Sequence, residues 1–149
     1  MKKLLQHAKK ITISLVLLMV LTLSFSFVAC KQEPPLVIKE SDTYFVINVS
    51  SSQMELKDDT TLIEYMDSLK QNDLLNFETS GGMIVSINGI ENPSDWSSCW
   101  MLYTSDTDFS NESWGKIEYS GTTYASAMFG AETLVIKEGC IYIWVFKSF

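Results

Sequence analysis

The chain has 149 residues, 46% of them hydrophobic, and a formal net charge of −7. That is room for one domain of ordinary size. Lys2, Lys3, Lys9 and Lys10 precede an apolar run, so 7 lysines stand against 18 carboxylates from position 31 onward, a balance of −11. Such a surface repels phosphate backbones and shows no clustered basic footprint, which excludes nucleic acid as a partner.

The N-terminal "MKKLLQHAKKITISLVLLMVLTLSFSFVAC" has a basic start, an apolar stretch from Ile11 to Val28 and a small residue before Cys30. This is the pattern of an export signal. "FVAC" resembles the lipobox of bacterial lipoproteins, with Phe27 where Leu is usual. It implies a signal peptide over residues 1–29, acylation of Cys30, and a domain held outside the cytoplasm at the cell membrane by its lipid. An uncleaved anchor is the competing reading, because the stretch approaches the roughly 18 apolar residues of a membrane span. Residues 30–35, "CKQEPP", read as a tether, and the domain runs over 36–149. With Cys30 lipidated, Cys99 and Cys140 are left as an even pair where disulfides persist. A bridge between them is expected, two buried thiols being the alternative.

Within the domain, "LVIKE" and "TYFVINVSS" are β-branched and aromatic runs separated by "SD", which predicts a hairpin. Alternation sets Phe45, Ile47 and Val49 on one face, opposite Tyr44, Val46 and Asn48. The period then changes. Leu62, Tyr65, Met66 and Leu69 form an amphipathic helical stripe, and Thr61 with Glu64 fits a capping box. Beyond it, turn signals at Ser80-Gly81-Gly82, Ser120-Gly121 and Glu138-Gly139 divide a series of strand-like pieces. One helix among seven or eight short strands predicts an α+β fold with a mixed or mostly antiparallel sheet.

The residues offer little for catalysis. The only histidine is His7, inside the expected signal, so the exported chain lacks the commonest general base and zinc ligand. Cys99 and Cys140 have no CxxC spacing, and Gly81-Gly82 is followed by neither the Lys-Ser/Thr nor the helix start of a phosphate loop. Asp106 with Asp108, or Glu132 with Glu138, could serve acid/base chemistry, but "TSDTDFSNES" lacks the glycine and terminal glutamate of a calcium loop. The expectation is no enzyme and no metal. What stands out is aromatic content: Trp96, Trp100, Trp114 and Trp144 all lie in the second half of the chain. Such rings serve either a small core or a ligand surface.

The order "TTLIEYMDSL", "GGMIVSINGI", "WSSCWMLYTSD" and "EGCIYIWVF" resembles the small C-terminal domain of transcobalamin and intrinsic factor and its bacterial lipoprotein relatives, from about Leu36 to Phe149. The resemblance implies a β-grasp-like fold, a sheet with one packed helix, and a corrinoid such as cobalamin as ligand, passed on to a transporter partner. In the vertebrate carriers a separate helical barrel completes the site, and this chain has none. An adhesion or protein-interaction module without a small-molecule ligand is the rival reading.

Alternation along "CWMLYT" separates Cys99, Met101 and Tyr103 from Trp100 and Leu102, and "CIYIWVF" separates Cys140, Tyr142, Trp144 and Phe146 from Ile141, Ile143 and Val145. If a disulfide joins the two strands, both cysteines point the same way. Trp100 and Leu102 then join the isoleucine face beneath the helix. Tyr103, Tyr142 and Trp144 form a second aromatic face which, with Trp96 in the preceding turn, makes the candidate ligand-binding set.

Overall fold

Residues whose side chains alternate between two environments build most of the molecule. The computed structural model describes residues 34–149, so the expected signal peptide, Cys30 and residues 31–33 of the tether lie outside it. The hairpin forms as β1 (Val37–Ser41) and β2 (Tyr44–Asn48). Helix α1 (Leu62–Gln71) follows, then a small antiparallel sheet of β3 (Phe77–Ser80), β4 (Met83–Ile87) and β5 (Ile90–Glu91). Strands β6 (Ser98–Thr104), β7 (Ser110–Tyr119), β8 (Thr122–Ala127) and β9 (Ile141–Ser148) complete a six-stranded sheet in the order β1-β2-β9-β6-β8-β7. Every strand pair among the described residues is antiparallel. The fold of these residues is α+β, with one α-helix.

Helix α1 starts where the sequence places it. Glu64 Oε2 accepts from the Thr61 N–H at 2.8 Å and from the Thr61 hydroxyl at 3.1 Å. Those two hydrogen bonds hold the Glu64 carboxyl below its usual range. The first N–H groups of a helix have no partner within it. Here those of Leu62 and Ile63 donate to Leu134 O and Ala131 O, and Ile136 N–H donates back to Thr60 O. The long β8–β9 connection is thereby pinned to the helix start. The α1 stripe of Leu62, Tyr65, Met66 and Leu69 is fully buried.

Two cores lie on opposite faces of the large sheet. On the α1 side, Phe45, Ile47 and Val49 from β2 and its end pack with Trp100 and Leu102 from β6, Tyr142 and Trp144 from β9, and the small sheet. On the other side Val46, Tyr103, Tyr124 and Ile143 are buried although no helix covers them. Curling of the sheet covers them instead. Tyr119, at the end of edge strand β7, donates its hydroxyl to Glu40 Oε1 of edge strand β1 at 2.9 Å and packs 5.9 Å from the Tyr44 ring.

This arrangement corrects two expectations. Trp100 and Leu102 do lie under the helix, but Ile143 belongs to the opposite core, and the strand face beneath the helix is that of Tyr142 and Trp144. The cause is register: Leu102 pairs with Trp144 and Tyr103 with Ile143, and directly paired residues share a face. The expected Cys99–Cys140 bridge is absent, both cysteines being free thiols. Cys99 pairs with Lys147, seven positions along the strand from Cys140, which is roughly 20 Å at the strand rise. The Cys99 thiol instead lies 3.6 Å from Met101 Sδ on its own strand.

Two outcomes check this architecture. Replacing Leu69 by Ala should cost about 3 kcal/mol, read as a lower urea midpoint with unchanged slope. Burial pushes both thiols above their usual pKa, so they remain protonated and slow to oxidise. Alkylation of the denatured, unreduced protein, followed by mass spectrometry, should label both Cys99 and Cys140.

Candidate functional site

The aromatic surface arises from an incomplete strand pairing. Strand β6 pairs with β9 along its whole length, from Ser98 to Thr104, but with β8 only at Tyr103 and Thr104. Residues Cys99 to Leu102 thus have a strand on one side and a cleft of about 370 Å³ on the other. At this edge the Trp100 N–H is taken by Asn92 Oδ1 at 3.1 Å, and Asn92 Nδ2 donates to Ile84 O. The small sheet is thereby fastened against β6.

All four tryptophans line this cleft, from different elements and in two distinct states. Trp100 and Trp144 are buried and form its inner wall. Trp100 is fixed by its indole N–H, which donates to Ile90 O at 2.8 Å, and by Phe45 and Phe146, whose ring centroids lie 5.7 and 5.3 Å away. Trp96 and Trp114 remain 50% and 59% exposed and stand at the mouth. Trp96 follows the Pro93–Asp95 turn with φ of +56°, a left-handed conformation that a bulky residue adopts at a cost and that clusters at functional sites. Trp114 is presented by a bulge. Asn111 pairs with Ser126 and Lys116 with the adjacent Ala125, so residues 112–115 are extra and have no partners in β8.

The far wall is the segment after β8, which carries Met128 and Phe129 and continues to the carbonyl of Ala131 that caps α1. Among the described residues seven large apolar side chains are exposed, and five of them, Met83, Trp96, Trp114, Met128 and Phe129, line this one cleft. No lining residue carries a formal charge. An apolar concavity of this kind is the ordinary form of a small-molecule site, for which roughly 300–1,000 Å³ is usual.

Of the expected binding set, Trp96 and Trp144 line the cleft, whereas Tyr103 and Tyr142 do not and are buried in opposite cores. Burial raises the Tyr142 hydroxyl to about 12. Sequence reasoning misses Met83, Trp114, Met128 and Phe129 as partners of Trp96. The available signal is Trp114 before Gly115 in an otherwise strand-like run, since an isolated glycine there marks a bulge.

A larger depression of about 830 Å³ lies beside residues 51–58 and 135–138, and its lining includes the charged groups of Glu55, Lys57, Asp58, Lys137 and Glu138. Its carboxylates are already engaged in part: Glu138 Oε2 accepts from Ser51 N–H at 2.7 Å. Nearby Asp106 and Asp108 converge on Lys137 Nζ at 3.0 and 2.6 Å. Hydrogen bonding to Lys137, then its charge, holds the Asp108 carboxyl below the usual aspartate range, and the same bonds raise Lys137. Among the described residues no group of three or more His, Cys, Asp or Glu is arranged to hold a metal ion. Comparison of the chain with protein-family models, with curated proteins and with solved structures finds no match.

The ion-pair cluster predicts a pH-dependent defect. Asp108 has a depressed folded-state pKa, so its stabilisation is present above the unfolded value of about 3.9 and is lost as pH falls through the lower folded value. Lys137, raised in the fold, stabilises below its unfolded value and loses that contribution at higher pH. Lys137→Met should therefore lower the denaturation midpoint at pH 7 and leave Asp106 buried without its counter-charge. The difference from the parent should shrink as Asp108 protonates in acid, which urea titrations at a series of pH values would show.

Proposed function

We propose that this chain is a lipid-anchored, extracytoplasmic binding module whose working surface is the cleft at the open edge of β6. One observation carries the reading: side chains from five separate stretches, including every tryptophan of the chain, converge on a single uncharged concavity. Leaving Trp96 and Trp114 largely in water sacrifices burial that a purely structural role would use, and exposed apolar patches of this kind mark interaction sites.

The ligand implied by the resemblance to the transcobalamin C-terminal domain is cobalamin or another corrinoid, and a β-grasp-like arrangement belongs to the same proposal. The dimensions shape it. A cleft of about 370 Å³ takes an edge or side arm of a macrocycle, not the whole, so a transporter or other partner would cover the remainder. The rival, a protein-interaction module, draws on Met83 and Met128 at the rim, since flexible thioethers suit varied partners.

Titration of the full chain in a nonionic detergent with cobinamide and with cobalamin, followed by tryptophan fluorescence and calorimetry, tests the reading. Saturable quenching is expected, weakened roughly 10-fold by Trp96→Ala if that ring is an anchor, with an unchanged melting temperature. Absence of both heat and quenching with either corrinoid at high micromolar concentration removes the corrinoid proposal.

A further inference from the structure

Charge around the cleft is as uneven as its polarity. From position 31 onward the chain carries a balance of −11, yet none of the residues lining the cleft is ionised. Glu132 places a carboxylate beside the rim: its Oε2 would lie 3.1 Å from a Cβ placed on Gly82, which itself lines the cleft. No salt bridge engages Glu132 among the described residues. The lysines of β7 and β9 have partners of their own. Lys116 faces Glu112 at 3.9 Å, and Lys147 lies over the Tyr103 ring, 4.9 Å from its centroid.

These features together describe a site for positive charge without a charged ligand group. Tryptophan faces are the strongest aromatic partners of a cation, and a low-polarity wall strengthens the attraction by excluding water. An anion would meet the opposite: no donor cation, a carboxylate at the rim, and the field of an acidic protein. A strongly hydrated ammonium such as that of lysine would lose its water shell on entry, whereas an alkylated ammonium presents methyl groups to the rings and keeps its charge. Trp96, Trp114 and Phe129 at the mouth provide the exposed rings.

We propose that the cleft at the open edge of β6 binds an alkylated ammonium group, held by the Trp96 and Trp114 rings at its mouth with Glu132 as the rim counter-charge. The proposal rests on the reading of the cleft as a binding site but not on the corrinoid as its ligand, because the amide arms of a corrinoid carry no ammonium group.

Choline and its uncharged isostere 3,3-dimethyl-1-butanol separate this from simple apolar binding, because they share a shape and differ in charge. The full chain in a nonionic, choline-free detergent is titrated with each, reading tryptophan fluorescence and heat. Choline should saturate and bind roughly 3- to 30-fold more tightly than the isostere, the ratio a cation–π contribution gives. Trp96→Ala and Trp114→Ala should each reduce that ratio, and Glu132→Gln should weaken choline while leaving the isostere unchanged. Melting temperatures report whether each variant is folded. Equal or tighter binding of the isostere overturns the cation proposal and leaves an apolar binding cleft. Saturation by neither compound also overturns it, and the corrinoid titration then decides the fate of the binding reading by itself.

Discussion

The register between β6 and β9 is the constraint on which the rest of the molecule depends. Strand β9 is central, paired with β2 on one side and β6 on the other. Its alternate residues feed both cores, Tyr142 and Trp144 toward α1 and Ile143 toward the curled face. A shift of one residue would exchange these sets and place a tryptophan where the curled face accommodates an isoleucine. Because Leu102 pairs with Trp144 and Trp100 with Phe146, the same register stacks the aromatic wall of the cleft. Core and candidate site are therefore one arrangement.

The cleft itself follows from what β8 does not do. Its partner β7 carries four extra residues at 112–115, and β8 meets β6 at two positions only. Beyond Ala127 the chain leaves the sheet and turns toward α1, where Ala131 and Leu134 accept from the helix start. The helix cap thus holds the far wall of the cleft at a distance from β6. Closing the gap by continued β6–β8 pairing would pull that segment away and leave the Leu62 and Ile63 N–H groups without their acceptors.

How much of this is legible in the sequence depends on the range of the interaction. The α1 stripe and its capping box are set by residues three and four apart, and the hairpin faces by neighbours, so local pattern alone aligns Leu62 with Tyr65 on one helix face and separates Phe45 and Ile47 from Val46, although both strand faces prove to be buried. The position of Trp96 after the Asn92-Pro93 turn likewise predicts its exposure. The faces of β9, by contrast, follow from a disulfide only if it forms, and it does not. Cysteine count is a property of composition, while the pairing of Cys99 with Lys147 is a property of register, which no local pattern in "CIYIWVF" encodes. For the same reason the cleft is only half visible in the sequence. Trp96 and Trp144 can be named from it, but Met83, Trp114, Met128 and Phe129 reach the cleft through a turn, a bulge and a loop whose meeting is decided by the fold as a whole.

The division of the cleft into a fixed wall and an exposed mouth bears on how it would discriminate among ligands. Trp100 is held by an indole hydrogen bond, a backbone hydrogen bond and two neighbouring rings, so little ordering cost falls on it when a ligand arrives. Trp96 and Trp114 are tethered through a turn and a bulge and keep much of their surface in water. Their contribution must offset the ordering of their own side chains, which is worthwhile only for a ligand that engages the ring faces directly. Shape at the wall and charge at the mouth are then separate filters. Substitutions at Trp100 would act on both through stability, whereas those at Trp96, Trp114 and Glu132 would act on recognition alone.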